Sequence, residues 1–190
     1  MDQQVTVIGA GPTGLLTALG LARQGVDVTV VERAPALQDT PRAIVYHWST
    51  LDGLARLDLL DDAVNAGFLK QDYAYRVRAT GEIISYGLAA LEGSVARPYN
   101  LHLGQGALAA VALAALSTFE NVRVLWSHEV TNVVQDAAGV DVTVRGPGGD
   151  QVLRSQWLVG ADGAGSAVRR LSGLDFDGMT WPERFVATNI

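Results

Sequence analysis

Three glycines near the start of the chain have a spacing that could bind a diphosphate. They form GAGPTG, with Gly9, Gly11 and Gly14 directly after the apolar run VTVI. In a dinucleotide site the first glycine allows the tight turn, the second lets the diphosphate approach the backbone, and the third lets the next helix lie close to the strand. Pro12 and Thr13 would open that helix, whose free N–H groups attract phosphate. The spacing predicts a dinucleotide-binding turn.

An acidic residue stands where the ribose of such a dinucleotide would lie. Glu32 closes the next predicted strand, 18 residues after Gly14. Its carboxylate can accept both ribose hydroxyls and would repel a 2′-phosphate, so the pattern suits FAD or NAD better than NADP. Arg33, the next residue, is included among the candidate cofactor contacts. The alternative is an ordinary turn followed by a surface glutamate.

A second candidate site lies in LVGADGAGSAVRR, towards the end of the chain. Asp162 follows a buried apolar run, and Gly163 begins a turn into a short predicted helix. Ser166 can cap that helix, and Arg169 follows within it. The alternative is a solvated Asp-Gly turn.

The apolar patterns predict the elements that would position these residues. A strand at 5–8, a helix at 12–24 and a strand at 26–32 form a β-α-β unit. A long connection at 34–49 leads to three further elements: a helical segment at 50–66, a hairpin at 73–87 that turns at Thr80-Gly81, and a nearly uncharged helix at 104–119. An antiparallel meander is predicted to follow, with strands at 122–126, 129–135, 140–145 and 152–155. A separate buried strand at 157–160 precedes Asp162.

Together the two motifs resemble the fingerprints of the flavin-dependent aromatic hydroxylases, the single-component group A monooxygenases. The second fingerprint of that family is Asp-Gly-x-x-Ser-x-apolar-Arg, which Asp162, Gly163, Ser166, Val168 and Arg169 match. The resemblance implies that Asp162 reaches the ribityl part of FAD and that the motif also helps with NAD(P)H. It implies that Arg169 contacts this aspartate or the residues around the cofactor.

Three further matches add candidate cofactor contacts. In TPRAIV, Arg42 stands where the family contacts FAD near its diphosphate, and a guanidinium can bind phosphate oxygens in pairs. In LGQGALAAVALAAL, Gln105 stands at the family's flavin-contacting glutamine, and in HEVTNVV, Val130 stands where the family's backbone meets adenine. The alternatives are a surface arginine, a polar residue at a helix start and a core valine.

The resemblance implies an α/β fold, with a Rossmann-like FAD-binding domain of the glutathione-reductase-like type that contains an antiparallel β-meander. It assigns 1–175 to that domain and 176–190 to the start of a substrate-domain sheet. The family's third fingerprint, Gly-Asp-Ala, is missing from the sequence. We therefore expect the chain to be the N-terminal portion of a longer hydroxylase.

The implied reaction is hydroxylation of a small phenol-type aromatic substrate. In the family NAD(P)H reduces FAD, O2 then forms a flavin C4a-hydroperoxide, and this species hydroxylates the ring. The flavin carries the chemistry, so no catalytic residue is assigned. The alternatives are another FAD-dependent reaction, namely epoxidation, halogenation or double-bond reduction, and a non-catalytic FAD-binding fragment. The meander disfavours a plain NAD dehydrogenase.

Composition and charge limit the partners, the site chemistry and the location that the chain can be expected to have. The 190 residues carry a net charge of −6 and no basic run, so nucleic acid is not expected as a partner. Thiolate chemistry is excluded because there is no cysteine, and no metal is expected because the three histidines are scattered. No apolar stretch reaches the ~18 residues of a membrane span, and no signal segment fits before the first strand. Cytoplasm is the expected location, and a homo-oligomer is compatible with the sequence.

Overall fold

The computed structural model describes residues 3–38 and 44–184. Its strands are β1 (Gln3–Ile8), β2 (Val28–Val31), β3 (Val45–Tyr46), β4 (Phe68–Lys70), β5 (Asp72–Arg76), β6 (Ile83–Gly87), β7 (Asn100–His102), β8 (Val122–Leu125), β9 (Glu129–Asp136), β10 (Gly139–Gly146) and β11 (Gly149–Gly160). Its helices are α1 (Pro12–Ala22), α2 (Trp48–Arg56), α3 (Leu60–Ala66), α4 (Gln105–Leu116) and α5 (Ala167–Leu171), with a short 3-10 helix at Leu88–Leu91. The described residues divide into two compact units, the first comprising 3–38 with 112–184 and the second 44–111.

The first unit is built on a six-stranded sheet with the order β8-β2-β1-β11-β10-β9. β8, β2, β1 and the second half of β11 are parallel, whereas β11, β10 and β9 form antiparallel pairs. All four residues of β2 are buried, as expected for a parallel strand that is covered on both faces. The α/β architecture and the antiparallel meander are therefore as the sequence predicts.

The core of the first unit has two parts. α1 packs against β1 and β2, and Leu15, Leu19, Val7 and Val30 are completely buried there. Complete burial of such a side chain contributes about 1.5–3 kcal/mol. In the meander every second residue of β10 is buried, and these valines pack with Ile8, Val31, Val130 and Leu153. The alternating burial along β10 thus forms the core at the antiparallel end of the sheet.

Two details of the predicted meander are wrong. The strand at 122–125 pairs in parallel with β2, at the opposite end of the sheet from β9. The strands expected at 152–155 and 157–160 are one continuous strand, β11. Ser155 keeps the strand intact, because it pairs with Val140 on one side and with Gln3 on the other.

The second unit contains a three-stranded antiparallel sheet, β3-β7-β4, and the β5–β6 hairpin. The hairpin turns near Gly81, whose φ of 75° is in the left-handed region that favours glycine. The predicted helix over 50–66 is divided into α2 and α3, because Asp58 between them has a φ of 54° and cannot continue a helix. Within the described residues, no helix is long and apolar enough to cross a bilayer.

Candidate functional site

The structure gives a different reason for glycine at each of the three positions of the first motif. Gly9 follows β1 with a φ of 105°, and a Cβ on it would overlap the carbonyl oxygen of Ala161. A Cβ on Gly14 would overlap the carbonyl oxygen of Gly9. Gly11 is exposed, and a Cβ there would have no atom within 4 Å. Gly9 and Gly14 are therefore required by packing, whereas Gly11 keeps open the space over the turn.

The N-terminus of α1 offers main-chain donors to that space. Gly11 is the N-cap residue, Pro12 is at the first position, and no side chain in the described part of the chain caps the helix. The first turn contains no acidic residue, and Thr13 is exposed. The first N–H groups of a helix lack intrahelical acceptors and carry a partial positive charge. This end of α1 can therefore bind an anionic group such as a diphosphate.

Glu32 lies beside the glycine turn at the carboxyl end of β2. Its Oε2 accepts the N–H of Ala10 at 2.8 Å, and its Oε1 accepts the N–H of Ala34 at 2.9 Å. The carboxylate is half-buried, whereas Arg33 next to it is exposed. Each carboxylate oxygen has a second lone pair, so Glu32 can hold the two loops and still accept sugar hydroxyls.

Asp162 lies at the end of β11 and binds the start of α5. Its carboxylate accepts the Ser166 hydroxyl at 2.6 Å and the N–H groups of Ala167 and Val168 at 2.6 and 3.2 Å. Partial burial disfavours the charged form, but these hydrogen bonds outweigh it and hold the pKa of Asp162 below its ordinary value. Asp162 is therefore ionised at neutral pH and holds the turn that follows β11.

The rest of the second motif completes this turn. Gly163 has a φ of 82°, and Ser166 is the N-cap of α5, accepting the N–H of Arg169 at 3.0 Å as predicted. The Arg169 guanidinium donates to the carbonyl of Ala164 at 2.9 Å and lies 4.2 Å from the centre of the Phe176 ring. The cap formed by Asp162 was not predicted, since Ser166 alone carries the usual sequence signal for it.

The two motifs meet because β1 lies between β2 and β11. Ile8 pairs with Val31 on one side and with Gly160 on the other, so the three strands end at the same level. Ala161 donates its N–H to the carbonyl of Ile8 at 2.8 Å. Glu32, the glycine turn and Asp162 thus share the carboxyl edge of one parallel sheet, which is where nucleotides bind in such folds.

The structure describes two of the three remaining predicted contacts. Val130 is buried in the core of the meander. Gln105 is half-buried at the start of α4, in the second unit. Arg42 is outside the described residues. The main-chain donors of Ala10 and Ala34 were missed, because no residue type marks an N–H group that receives a distant carboxylate.

This edge of the sheet defines a nucleotide-binding domain, and comparison with known proteins gives its class. The chain belongs to the family described as the FAD binding domain, whose model matches residues 2–189. The predicted FAD-binding fold and the resemblance to the flavin-dependent aromatic hydroxylases are thereby confirmed.

Similar proteins are monooxygenases of aromatic compounds. The chain is 45% identical over 190 residues to 6-hydroxy-3-succinoylpyridine 3-monooxygenase HspB of Pseudomonas putida (strain DSM 28022 / S16), covering 100% of this chain and 48% of the relative. It is 42% identical over 187 residues to para-nitrophenol 4-monooxygenase of Pseudomonas sp. (strain WBC-3), covering 98% and 46%. The crystal structure of p-nitrophenol 4-monooxygenase PnpA from Pseudomonas putida DLL-E4 superposes with a TM-score of 0.91 at 39% identity, covering 95% and 46%. The chain spans about half the length of the curated relatives it matches.

Proposed function

We propose that this chain is the FAD-binding part of an NAD(P)H- and O2-dependent monooxygenase that hydroxylates a phenol-type aromatic substrate. The observation that carries the proposal is the shared sheet edge, where the glycine turn adjoins both Glu32 and Asp162. The relatives support the choice of reaction, because they are named as monooxygenases of a hydroxypyridine and a nitrophenol.

The residues at this edge fit the parts of FAD. The N–H groups at the start of α1, around Pro12, Thr13 and Gly14, suit the diphosphate, since no side chain of the described residues caps this end of the helix. Glu32 suits the adenosine ribose, because each of its oxygens keeps a lone pair. We assign Asp162 and Gly163 to the ribityl side.

The other predicted contacts belong to the same proposal. They are Arg33, Arg42, Gln105, Val130 and Arg169. For Arg169 the proposal is that it orders the turn from Gly163 to Gly165, because its guanidinium donates to Ala164. We likewise propose that 1–175 forms the FAD-binding domain and that 176–190 begins the substrate domain, since residues 174–184 form no helix or strand.

FAD, when bound, supplies the redox chemistry, because it takes electrons from NAD(P)H and activates O2 for insertion into the ring. The chain's own part is to bind and orient. Gly9 and Gly14 hold α1 against β1, and Glu32 joins the glycine turn to the loop after β2. The carboxylate of Asp162 fixes the opposite loop. This division of labour explains why no acid, base or nucleophile needs to be assigned in this chain.

The proposal is tested on the protein as its genome encodes it, purified and loaded with FAD. NADH and NADPH oxidation is followed with and without 4-nitrophenol or a hydroxypyridine, under isotopically labelled O2. We expect the aromatic compound to accelerate oxidation and one labelled oxygen atom to enter the product. Tight FAD binding with unlabelled product, or with turnover of an alkene instead, would reject hydroxylation and favour another flavin reaction. Binding of NAD in place of FAD would reject the flavin assignment itself.

A further inference from the structure

The small sheet of the second unit carries a cation and two rings on one face, and a third ring from the β5–β6 hairpin lies next to them. Phe68 and Lys70 alternate with Leu69 on β4 and so share a face, and they pair with His102 and Asn100 on β7. The Phe68 ring stacks on His102 with 4.9 Å between ring centres. The centre of the Tyr73 ring lies 6.4 Å from that of the His102 ring. The Lys70 ammonium lies 5.7 Å from the centre of the Tyr73 ring. We call Phe68, Lys70, Tyr73, Asn100 and His102 the Lys70 face.

Hydrogen bonds fix the rings of the Lys70 face in place. Asn100 is only 5% exposed, and its Oδ1 accepts the N–H of Trp48 at 3.0 Å. Its Nδ2 must therefore be the donor to the Tyr73 hydroxyl at 2.7 Å. The same hydroxyl forms a hydrogen bond with His102 Nε2, which lies 3.4 Å away. A ligand that contacts this face does not have to order the rings first, which lowers the entropic cost of binding.

An open cavity adjoins the Lys70 face. Its volume is about 440 Å³, within the range of ~300–1,000 Å³ typical of small-molecule sites. The residues that line it are Phe68, Leu69, Lys70, Gln71, Asp72 and Tyr99. Lys70 is the single lysine of the sequence and has no ion-pair partner within the described residues. Asp72 is the carboxylate of the lining, and its Oδ1 lies towards Gly87 of β6, where an added Cβ would be 3.1 Å away.

We propose that this cavity binds a small aromatic anion, with its ring against Phe68 and Tyr99 and its carboxylate or phenolate on the Lys70 ammonium. The charge and the rings favour such a ligand over a neutral aromatic compound, which would leave the ammonium without a counter-ion. As a site for the substrate of this protein, the cavity rests on the proposed function. As a site for aromatic anions, it rests on the cavity lining, to which the Lys70 face contributes Phe68 and Lys70.

The test uses 4-hydroxybenzoate as the probe and its uncharged analogue 4-hydroxybenzamide as the matched ligand. Binding to the purified protein, as its genome encodes it, is measured by titration calorimetry and by the shifts of main-chain amide signals in NMR spectra. We expect the benzoate to shift signals of residues 68–73 and 99–102, and Lys70→Met to weaken its binding by about tenfold, a change worth one charged contact. Lys70→Arg should keep the affinity within about threefold, and Asp72→Asn should raise it, because a nearby negative charge is removed.

A control variant separates local from general charge effects. Arg78→Met removes an exposed positive charge from the turn of the β5–β6 hairpin. This variant should leave the affinity for 4-hydroxybenzoate unchanged. Equal affinity for benzoate and benzamide, equal affinity of Lys70→Met and the unmodified chain, or shifts confined to other residues would each overturn the proposal. FAD titration of the same samples keeps the two proposals apart, since FAD binding with no benzoate site rejects only this one. A benzoate site without hydroxylation would reject only the proposed reaction.

Discussion

At the scale of residues, the carboxylates of the site act on the backbone as well as on a ligand. Glu32 accepts one N–H from the glycine turn and one from the loop after β2. Asp162 accepts two main-chain N–H groups and a hydroxyl from the start of α5. Each acid therefore shapes the loop that its ligand would contact. The sequence indicated both acids but not these partners, because the donors are main-chain groups.

The role of Glu32 predicts a loss of FAD affinity in Glu32→Ala. Removal of the carboxylate takes away the sugar acceptor and frees the N–H of Ala10, and one charge-assisted hydrogen bond is worth about 1.5–3 kcal/mol. We expect the Kd for FAD to rise roughly 10- to 100-fold in a flavin fluorescence titration. Glu32→Gln should recover part of the loss, since it keeps one acceptor oxygen. Glu120→Ala, an exposed acid before β8, is the control, and an equal loss there would contradict the assignment.

Asp162 predicts a pH-dependent contribution to stability. Its folded-state pKa lies below the ordinary value of 3.8, so its stabilising effect is complete above that value and is lost as the pH falls through the lower folded pKa. Asp162→Asn should lower the free energy of unfolding by about 1 kcal/mol at neutral pH, as for loss of a helix cap. Urea titrations at several pH values should show this difference shrinking only below about pH 4. A difference that instead grows on acidification would contradict the charged cap.

At the scale of elements, the sequence predicted best where apolar runs are bounded by glycines. The β1-α1-β2 unit has such bounds and was found within a few residues of its observed ends. β11 was divided in two because the polar residue Gln156 interrupts the apolar pattern, and the expected burial of the second part was wrong at Trp157, which is exposed. Pairing on both sides, which the sequence does not display, keeps this strand continuous.

Elements of two or three residues were not predicted at all. β3, β4 and β7 are too short to show a period of two, and they exist because β7 pairs with both of the others. The break between α2 and α3 was also missed, since Asp58 is compatible with a helical pattern until its φ is known. All residues of the Lys70 face except Tyr73 lie on β4 and β7, which explains why the sequence does not predict this face.

The contact between α1 and β1 predicts losses of stability of different size for two glycine variants. Gly14→Ala places a Cβ against the carbonyl of Gly9, and such overpacking costs about 1–3 kcal/mol. Gly11→Ala meets no atom in the protein, so its cost should stay below about 1 kcal/mol. Chemical denaturation without FAD should therefore show a large loss only for Gly14→Ala.

FAD titration should separate the two glycine variants further. Gly11→Ala should fold normally but lose at least about tenfold in FAD affinity, because its methyl group occupies the space proposed for the diphosphate. If this variant bound FAD as well as the unmodified chain does, the diphosphate would have to lie elsewhere.

At the scale of the whole molecule, the proposed cofactor contacts fall mainly in the first unit, whereas the Lys70 face lies in the second. FAD at about one hundred times its Kd should raise the free energy of unfolding by about 2.7 kcal/mol. Hydrogen exchange measured by mass spectrometry should slow most around the glycine turn, Glu32 and residues 161–163. Equal slowing throughout β5 and β6 would show that the ligand does not act through the first unit.

The place of β1 in the sheet also affects how the protein is made. β1 is translated well before its neighbour β11, which comprises Gly149–Gly160. At ~5–20 residues per second, one edge of β1 waits on the order of ten seconds for its partner to leave the ribosome. During that interval the carbonyl of Ala161 that touches Gly9 does not yet exist. A nascent chain therefore completes the proposed cofactor site only after β11 has been made, and the glycine motif lacks this neighbour until then.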